Sequence, residues 1–223
     1  MGPFRSGTSL LSRVVMCLGY SAGPEKELFE PTDWNPAGYI QRPDVTAFNS
    51  QLIKNAGGTI ANPPHPEEIK GYTPYAKVPD IDFGWANQER SFLIKDPRFC
   101  VTLHYWIEKK LFGKVDLAII RIKRDINDVV RSCLLHYDVK EYLGRSEQQA
   151  HHSIALYEKY ADWHIRNIKA AKIEIAYEEL VFQPADTVKL LSRHLQCDNE
   201  EQIDMAIAAL NTGRSRINPD ESP

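Results

Sequence analysis

An α/β fold in three layers, with a mostly parallel central sheet flanked by helices, is the architecture this sequence predicts. Two observations carry that expectation. Short β-branched and apolar runs at Ser91–Lys95 (SFLIK), Leu117–Lys123 (LAIIRIK) and Lys172–Tyr177 (KIEIAY) have the length and composition of buried strands. Between them apolar residues repeat at helical spacing, and strands alternating with helices build parallel sheets covered on both faces.

The helical segments follow in order. In Asp44–Ala56, Val45, Phe48 and Leu52 share a face; in Arg98–Phe112 the face is Phe99, Leu103 and Trp106. Asp125–Tyr137 carries Ile126, Val129, Val130 and Cys133, and Glu147–Ile168 carries Ala150, Ile154, Tyr157 and Ala161. Two shorter helices are expected in Asp186–Leu195 and Glu200–Leu210. Pro31–Pro43 and Asn62–Pro79, rich in Pro, Gly and Tyr, read as loops that shape a substrate pocket.

The 223 residues, 43% of them hydrophobic, form one domain spanning 1–223, with an irregular tail from about residue 211. A net charge of -3, from well-mixed charges, lacks the basic stripe of a nucleic-acid binder, so an anionic ligand must be gripped by a few local cations. Cys17, Cys100, Cys133 and Cys197 are widely spaced and read as buried thiols of a reducing compartment. His151 and His152 are adjacent and face apart, and no zinc pattern is present. No apolar run reaches the roughly 18 residues of a membrane span. A cytoplasmic location is expected.

The strongest motif opens the chain. Gly2 to Ser9 (GPFRSGTS) has the P-loop spacing G-x-x-x-x-G-x-[ST] and runs straight into an apolar helical stretch. Thr8 stands where nucleotide kinases place lysine. Gly7 permits close backbone approach, and the amides of Ser6 to Ser9 are expected at the positive end of the new helix, where an anion belongs. The missing lysine argues against γ-phosphoryl transfer, in which lysine and Mg²⁺ neutralise several charges at once. A sulfuryl group carries fewer charges, and no metal is expected.

Three further candidates stand at strand ends. Lys95 closes SFLIK ahead of Asp96, Pro97 and Arg98; Arg124 closes LAIIRIK, with Ser132 two turns into the next helix; Tyr177 closes KIEIAY. The carboxyl edge of a parallel sheet is where α/β proteins bind ligands. Arginine and a serine hydroxyl can together hold one phosphate. Each residue also has a plain alternative: a snorkelling lysine, a solvated arginine beside a capping Asp125 or Asn127, a core tyrosine.

These segments resemble sulfotransferases that use 3′-phosphoadenosine 5′-phosphosulfate (PAPS), in the bacterial and tyrosylprotein branch. FRSGTSLL is similar to their P-R-S-G-T-[ST]-L-L loop, RDINDVVRS to R-x-P-x-[DE]-V-x-x-S, and KDPR to their lysine motif. NPAGYIQ, at Asn35 to Gln41, resembles N-P-x-G-Y-x-E, and AYEEL resembles Y-E-D-L. The likeness implies a P-loop-type fold in which Arg5, Ser6, Gly7, Thr8 and Ser9 hold the 5′-phosphosulfate. It implies that Arg124 and Ser132 hold the 3′-phosphate, that Tyr177 lies beside the adenine, and that Lys95 faces the bridging oxygen. The product would be adenosine 3′,5′-bisphosphate, and the acceptor a small molecule, carbohydrate or peptide.

Departures from the family pattern are specific. The strand expected before the loop is reduced to Met1–Phe4, so the sheet lacks most of one strand or its start is truncated. Ile126 replaces a proline. Gln41 replaces the glutamate of G-Y-x-E and cannot act as a base. Glu25 is the first choice for that role, then Glu27, then Asp96. The competing readings are a degenerate P-loop phosphotransferase or NTPase, and a non-catalytic nucleotide-binding module.

Overall fold

The computed structural model describes residues 1–32, 35, 38–70 and 91–214. Strands β1 (Ala118–Lys123) and β2 (Ala171–Ala176) pair in parallel, with Ala118 opposite Ala171 and Lys123 opposite Ala176. Both lie within a residue or so of the runs read from sequence. Parallel neighbours need a crossover, and here it holds three helices, α5 (Ile126–Leu135), α6 (Tyr137–Leu143) and α7 (Glu147–Asn167).

The SFLIK run departs from the expected strand. It makes one parallel bridge, Phe92 with Ser21, in which the Ser21 amide donates to the Ser91 carbonyl at 3.1 Å and the Leu93 amide to the Ser21 carbonyl at 2.8 Å. On the free side of β1, the Ile122 amide donates to the Met1 carbonyl at 2.9 Å, and the Met1 amino group donates to the Ile120 carbonyl. The chain's first residue therefore extends the parallel pattern by a single step. A ladder needs consecutive bonds, and neither segment has them.

Helices cover both faces of the sheet. Ile119 packs into a core with residues of α2 (Pro43–Asn55), α4 (Phe99–Glu108), α5 and α7, including Phe48, Trp106, Val130 and Tyr157. Ile122 and Ile175 point into a second core with α1 (Thr8–Cys17), α8 (Tyr177–Phe182), α9 (Pro184–His194) and α10 (Glu200–Arg214). Within it Leu11, Val14, Val15 and Leu18 of α1 share a cluster with Ala206 and Leu210 of α10. Residues three apart on β1 thus serve opposite layers, as side-chain alternation along a strand requires.

Several boundaries differ from the sequence reading. Tyr177 begins α8 instead of closing a strand, because Glu179 reaches back to the Ala176 amide in a box-like cap. Helix α10 continues to Arg214, past the point where an irregular tail was expected. A short helix α3 (Pro66–Lys70) occupies part of the second expected loop, of which residues 71–79 lie outside the described residues.

Arg121 is the most buried cation of the sheet, at 1% exposure. Its guanidinium binds Glu158 of α7 at 2.6 Å and Glu174 of β2 at 3.0 Å, and also Asp162. Strand and helix are thereby tied through charge as well as packing. Removing one partner of a buried pair strands the others. Arg121→Leu should cost about 2–4 kcal/mol in urea unfolding, the partners being partly solvated; an unchanged midpoint would show that the cluster contributes nothing net.

Candidate functional site

The opening loop owes its shape to two residues in the left-handed region. Arg5 has φ 62° and Gly7 has φ 97°. At Gly7 a side chain is excluded twice over: by the backbone angle, and because a Cβ would stand 2.5 Å from the Tyr177 ring. Gly2 is required for proximity, since a Cβ there would lie 2.8 Å from the Ile122 side chain and 2.7 Å from the Ser6 hydroxyl. The two glycines let the loop lie against β1 and β2 at once.

Ser6 plays a different part from the one expected. Fully buried, it donates both its amide (3.3 Å) and its hydroxyl (2.7 Å) to the Pro3 carbonyl, and so closes the turn. The amides available to an anion belong to the first turn of α1, at Thr8, Ser9 and Leu10, which have no intrahelical acceptor, and Gly7 adds no side-chain cap. The Ser9 hydroxyl donates to the Tyr39 carbonyl at 3.3 Å.

Around this helix end four predicted residues meet. The Arg5 Nε donates to the Ser132 hydroxyl at 3.1 Å, and Arg124 Nη1 donates to the Arg5 carbonyl at 3.3 Å. The Arg124 guanidinium lies 4.2 Å from the centre of the Tyr177 ring, whose edge abuts Gly7. Asp125 caps α5 by accepting from the Asn127 and Asp128 amides, which turns the helix so that Ser132 faces Arg5. Asp125 is thus the cap of this segment, while Arg124 and Ser132 are left free to face the loop.

The charge at this site is uncompensated. Among the described residues neither Arg5 nor Arg124 takes part in an ion pair, and the buried Arg124 Nε has no hydrogen-bond partner. Burial lowers the Arg5 guanidinium from its ordinary value, and Arg124 nearby pushes the same way. Such a cluster is relieved by an anion.

Lys95 is buried in an adjoining polar network. Its ammonium donates to the Gln41 side-chain carbonyl at 3.2 Å, and the Gln41 amide nitrogen donates to Asp96 Oδ2 at 2.8 Å. Asp96 also accepts from the Thr46 hydroxyl at 2.7 Å and the Arg98 amide at 2.7 Å, and pairs with the Arg98 guanidinium at 3.3 Å. Every lone pair of that carboxylate is engaged, which removes Asp96 as a base. Burial lowers Lys95 to about 8, with Arg98, Arg13 and Arg5 pushing further down and Asp96 opposing. Lys95 thus lies within the electrostatic reach of Arg5.

The two glutamates proposed as bases sit on a short 3₁₀ turn, Glu25–Glu27. Glu27 is held by Arg42 at 2.7 Å, and Glu25 is exposed. Among the described residues no hydrogen bond joins either of them to Lys95.

Two participants were missed by sequence reasoning. Arg13 donates to the Gly38 carbonyl at 3.0 Å and to Asn35 Oδ1 at 3.4 Å, fastening the 35–39 loop to α1. Its spacing of four from Ser9, which grips the same loop, was the available signal. Gln41, set aside because it cannot be a base, proves to be the direct neighbour of Lys95. Trp34, expected in the acceptor loop, and Tyr72 and Tyr75 lie outside the described residues.

Compared with known proteins, the chain matches no family model, no curated protein and no solved structure. Among the described residues no group of three or more His, Cys, Asp or Glu could hold a metal ion, and no helix is long and apolar enough to cross a membrane.

Gly7→Ala should destabilise the protein by about 2–4 kcal/mol through positive φ and the collision with Tyr177. Urea unfolding measures this directly, and a loss below 0.5 kcal/mol, roughly the scale of a neutral surface change, would mean that the loop relaxes freely.

Proposed function

We propose that this chain is a sulfotransferase with a P-loop-type three-layer arrangement, moving a sulfuryl group from PAPS to a hydroxyl or amine of an acceptor. One observation carries the reading: Arg5, Arg124, Ser132 and Tyr177, from three distant segments, converge on the first turn of α1 with two guanidiniums lacking any carboxylate partner among the described residues. A nucleotide with anions at both its 3′ and 5′ positions matches two neighbouring cations, one of them stacked on an aromatic ring.

In this reading the first-turn amides of α1 and Arg5 hold the 5′-phosphosulfate. Arg124 and Ser132 take the 3′-phosphate, and Tyr177 offers a face to the adenine. The acceptor oxygen bonds to sulfur as the sulfur–oxygen bond to the 5′-phosphate breaks. The bond pair passes to the phosphate oxygen, leaving adenosine 3′,5′-bisphosphate, and the acceptor proton goes to a carboxylate. Glu25 is the better placed of the two glutamates, because Glu27 would first have to leave Arg42. Lys95 stabilises charge building on the departing oxygen, an interaction strongest in the transition state.

Calorimetry with PAPS, ATP and adenosine 3′,5′-bisphosphate, with and without Mg²⁺, tests the class. Metal-independent binding of the 3′-phosphorylated nucleotides above ATP is expected, while Mg²⁺-dependent ATP binding would reassign the chain to phosphoryl transfer. Arg124→Ala should weaken PAPS far more than adenosine 5′-phosphosulfate, which lacks the 3′-phosphate; equal losses would refute that assignment.

Lys95→Ala should lower kcat by roughly 10²-fold with PAPS binding retained. In the intact enzyme kcat/KM for PAPS should fall as pH rises through about 8, where Lys95 loses its charge in the free protein. A profile flat to well above that pH would separate Lys95 from catalysis.

A further inference from the structure

One peptide group beside α1 combines three unfavourable features. Ile40 has φ 49°, in the left-handed region, where a β-branched side chain crowds the backbone. The residue is buried, and among the described residues its amide makes no hydrogen bond. Buried N–H groups without a partner are uncommon. The other end of the same peptide, the Tyr39 carbonyl, accepts from the Ser9 hydroxyl at 3.3 Å, so its oxygen is aimed at the first turn of α1. A carbonyl oxygen is the wrong end of a peptide to face an anion.

The chain on either side of this peptide is pinned. The Gly38 carbonyl accepts from Arg13 at 3.0 Å and from Asn35 Nδ2 at 2.7 Å. The Tyr39 hydroxyl shares a 2.7 Å hydrogen bond with the Thr32 hydroxyl. On the other flank the Gln41 carbonyl accepts from the Phe29 amide at 2.9 Å, and the Gln41 side chain is bonded to Asp96. With both flanks and both side chains held, one soft motion remains, a turn of the planar Tyr39–Ile40 peptide about ψ of Tyr39 and φ of Ile40. That turn exchanges the carbonyl for the Ile40 N–H without moving its neighbours.

An anion supplies the reason to turn. The Ser9 hydroxyl has a single proton, so an oxyanion on the α1 amides competes with the Tyr39 carbonyl for it. The same oxyanion repels the carbonyl oxygen and attracts an N–H.

We propose that the Tyr39–Ile40 peptide flips when an oxyanion settles on the first turn of α1, making the Ile40 amide a further donor to it and releasing the strain at Ile40. The inference rests on the anion site proposed above and adds a main-chain group to it. After the flip Ile40 lies at negative φ, where β-branched residues are at ease, and the Ser9 hydroxyl is released to the ligand. Strain held at Ile40 thus becomes affinity for the oxyanion. A neutral ligand is a weaker acceptor and leaves the peptide as it stands, so the device selects by charge.

Adenosine 3′,5′-bisphosphate and inorganic sulfate serve as probes, with calorimetry to measure binding and NMR spectroscopy to watch the peptide. Binding should move the Ile40 amide proton downfield, slow its exchange about tenfold or more through the new hydrogen bond, and shift the Ile40 Cα and Cβ resonances to extended values. Ile40→Gly, unstrained at positive φ, should weaken the bisphosphate by about 5–30-fold, the strain of one left-handed residue expressed as affinity. Ile40→Val, which keeps the strain, should bind as the unaltered chain does. Binding of either probe with the Ile40 resonances unmoved overturns the flip and leaves the anion site standing. Failure of both probes to bind overturns the site and the flip together. Equal binding by the Gly and Val variants also overturns the proposal; if the Gly variant does not fold, the spectra of the unaltered chain decide.

Discussion

The bond from the Ile122 amide to the Met1 carbonyl fixes the opening loop against the carboxyl end of β1, and the rest of the site depends on it. With the loop held there, Gly2 sits flush on Ile122, Gly7 meets Tyr177 at the end of β2, and Arg5 comes within reach of Arg124, two residues past Ile122. One register therefore places contributions from three segments. A slip of one residue would turn Arg5 away and bring a side chain where Gly7 now stands.

The polar network around Lys95 explains a residue that the sequence left without a role. A carboxylate at position 41 would face Asp96 at the 2.8 Å now spanned by a hydrogen bond. The amide of Gln41 instead accepts from Lys95 on one side and donates to Asp96 on the other, so three adjacent polar groups are buried without like-charge repulsion. Gln41 thus keeps Lys95 in place without itself supplying an opposite charge.

Local chemistry was legible in the sequence where it is set by short-range rules. Helices α2, α4, α5, α7, α9 and α10 announced themselves by apolar period, while the short α3, α6 and α8 did not; β1 and β2 were announced by their β-branched runs, and the loop by its glycine spacing. The convergence of Arg5, Arg124, Ser132 and Tyr177 was legible too, since Arg124 and Tyr177 directly follow β1 and β2, Ser132 stands two turns into the helix after Arg124, and Arg5 lies in the glycine-spaced loop. What escaped depends on contacts distant in sequence. Glu27 is claimed by Arg42 and Arg13 serves a loop more than twenty residues away, whereas Ser6 spends its donors on Pro3 only because the turn closes locally. SFLIK has the composition of a strand, but composition cannot supply its neighbours.

Helix α10 supplies none of the residues proposed for the anion site, yet Ala206 and Leu210 share a hydrophobic cluster with Leu11, Val14, Val15 and Leu18. The helix whose first-turn amides are proposed to meet the anion is thus braced from behind by α10. On the proposed reading, removing that brace would loosen the first turn of α1, so the carboxyl-terminal helix would set how firmly the amides are held.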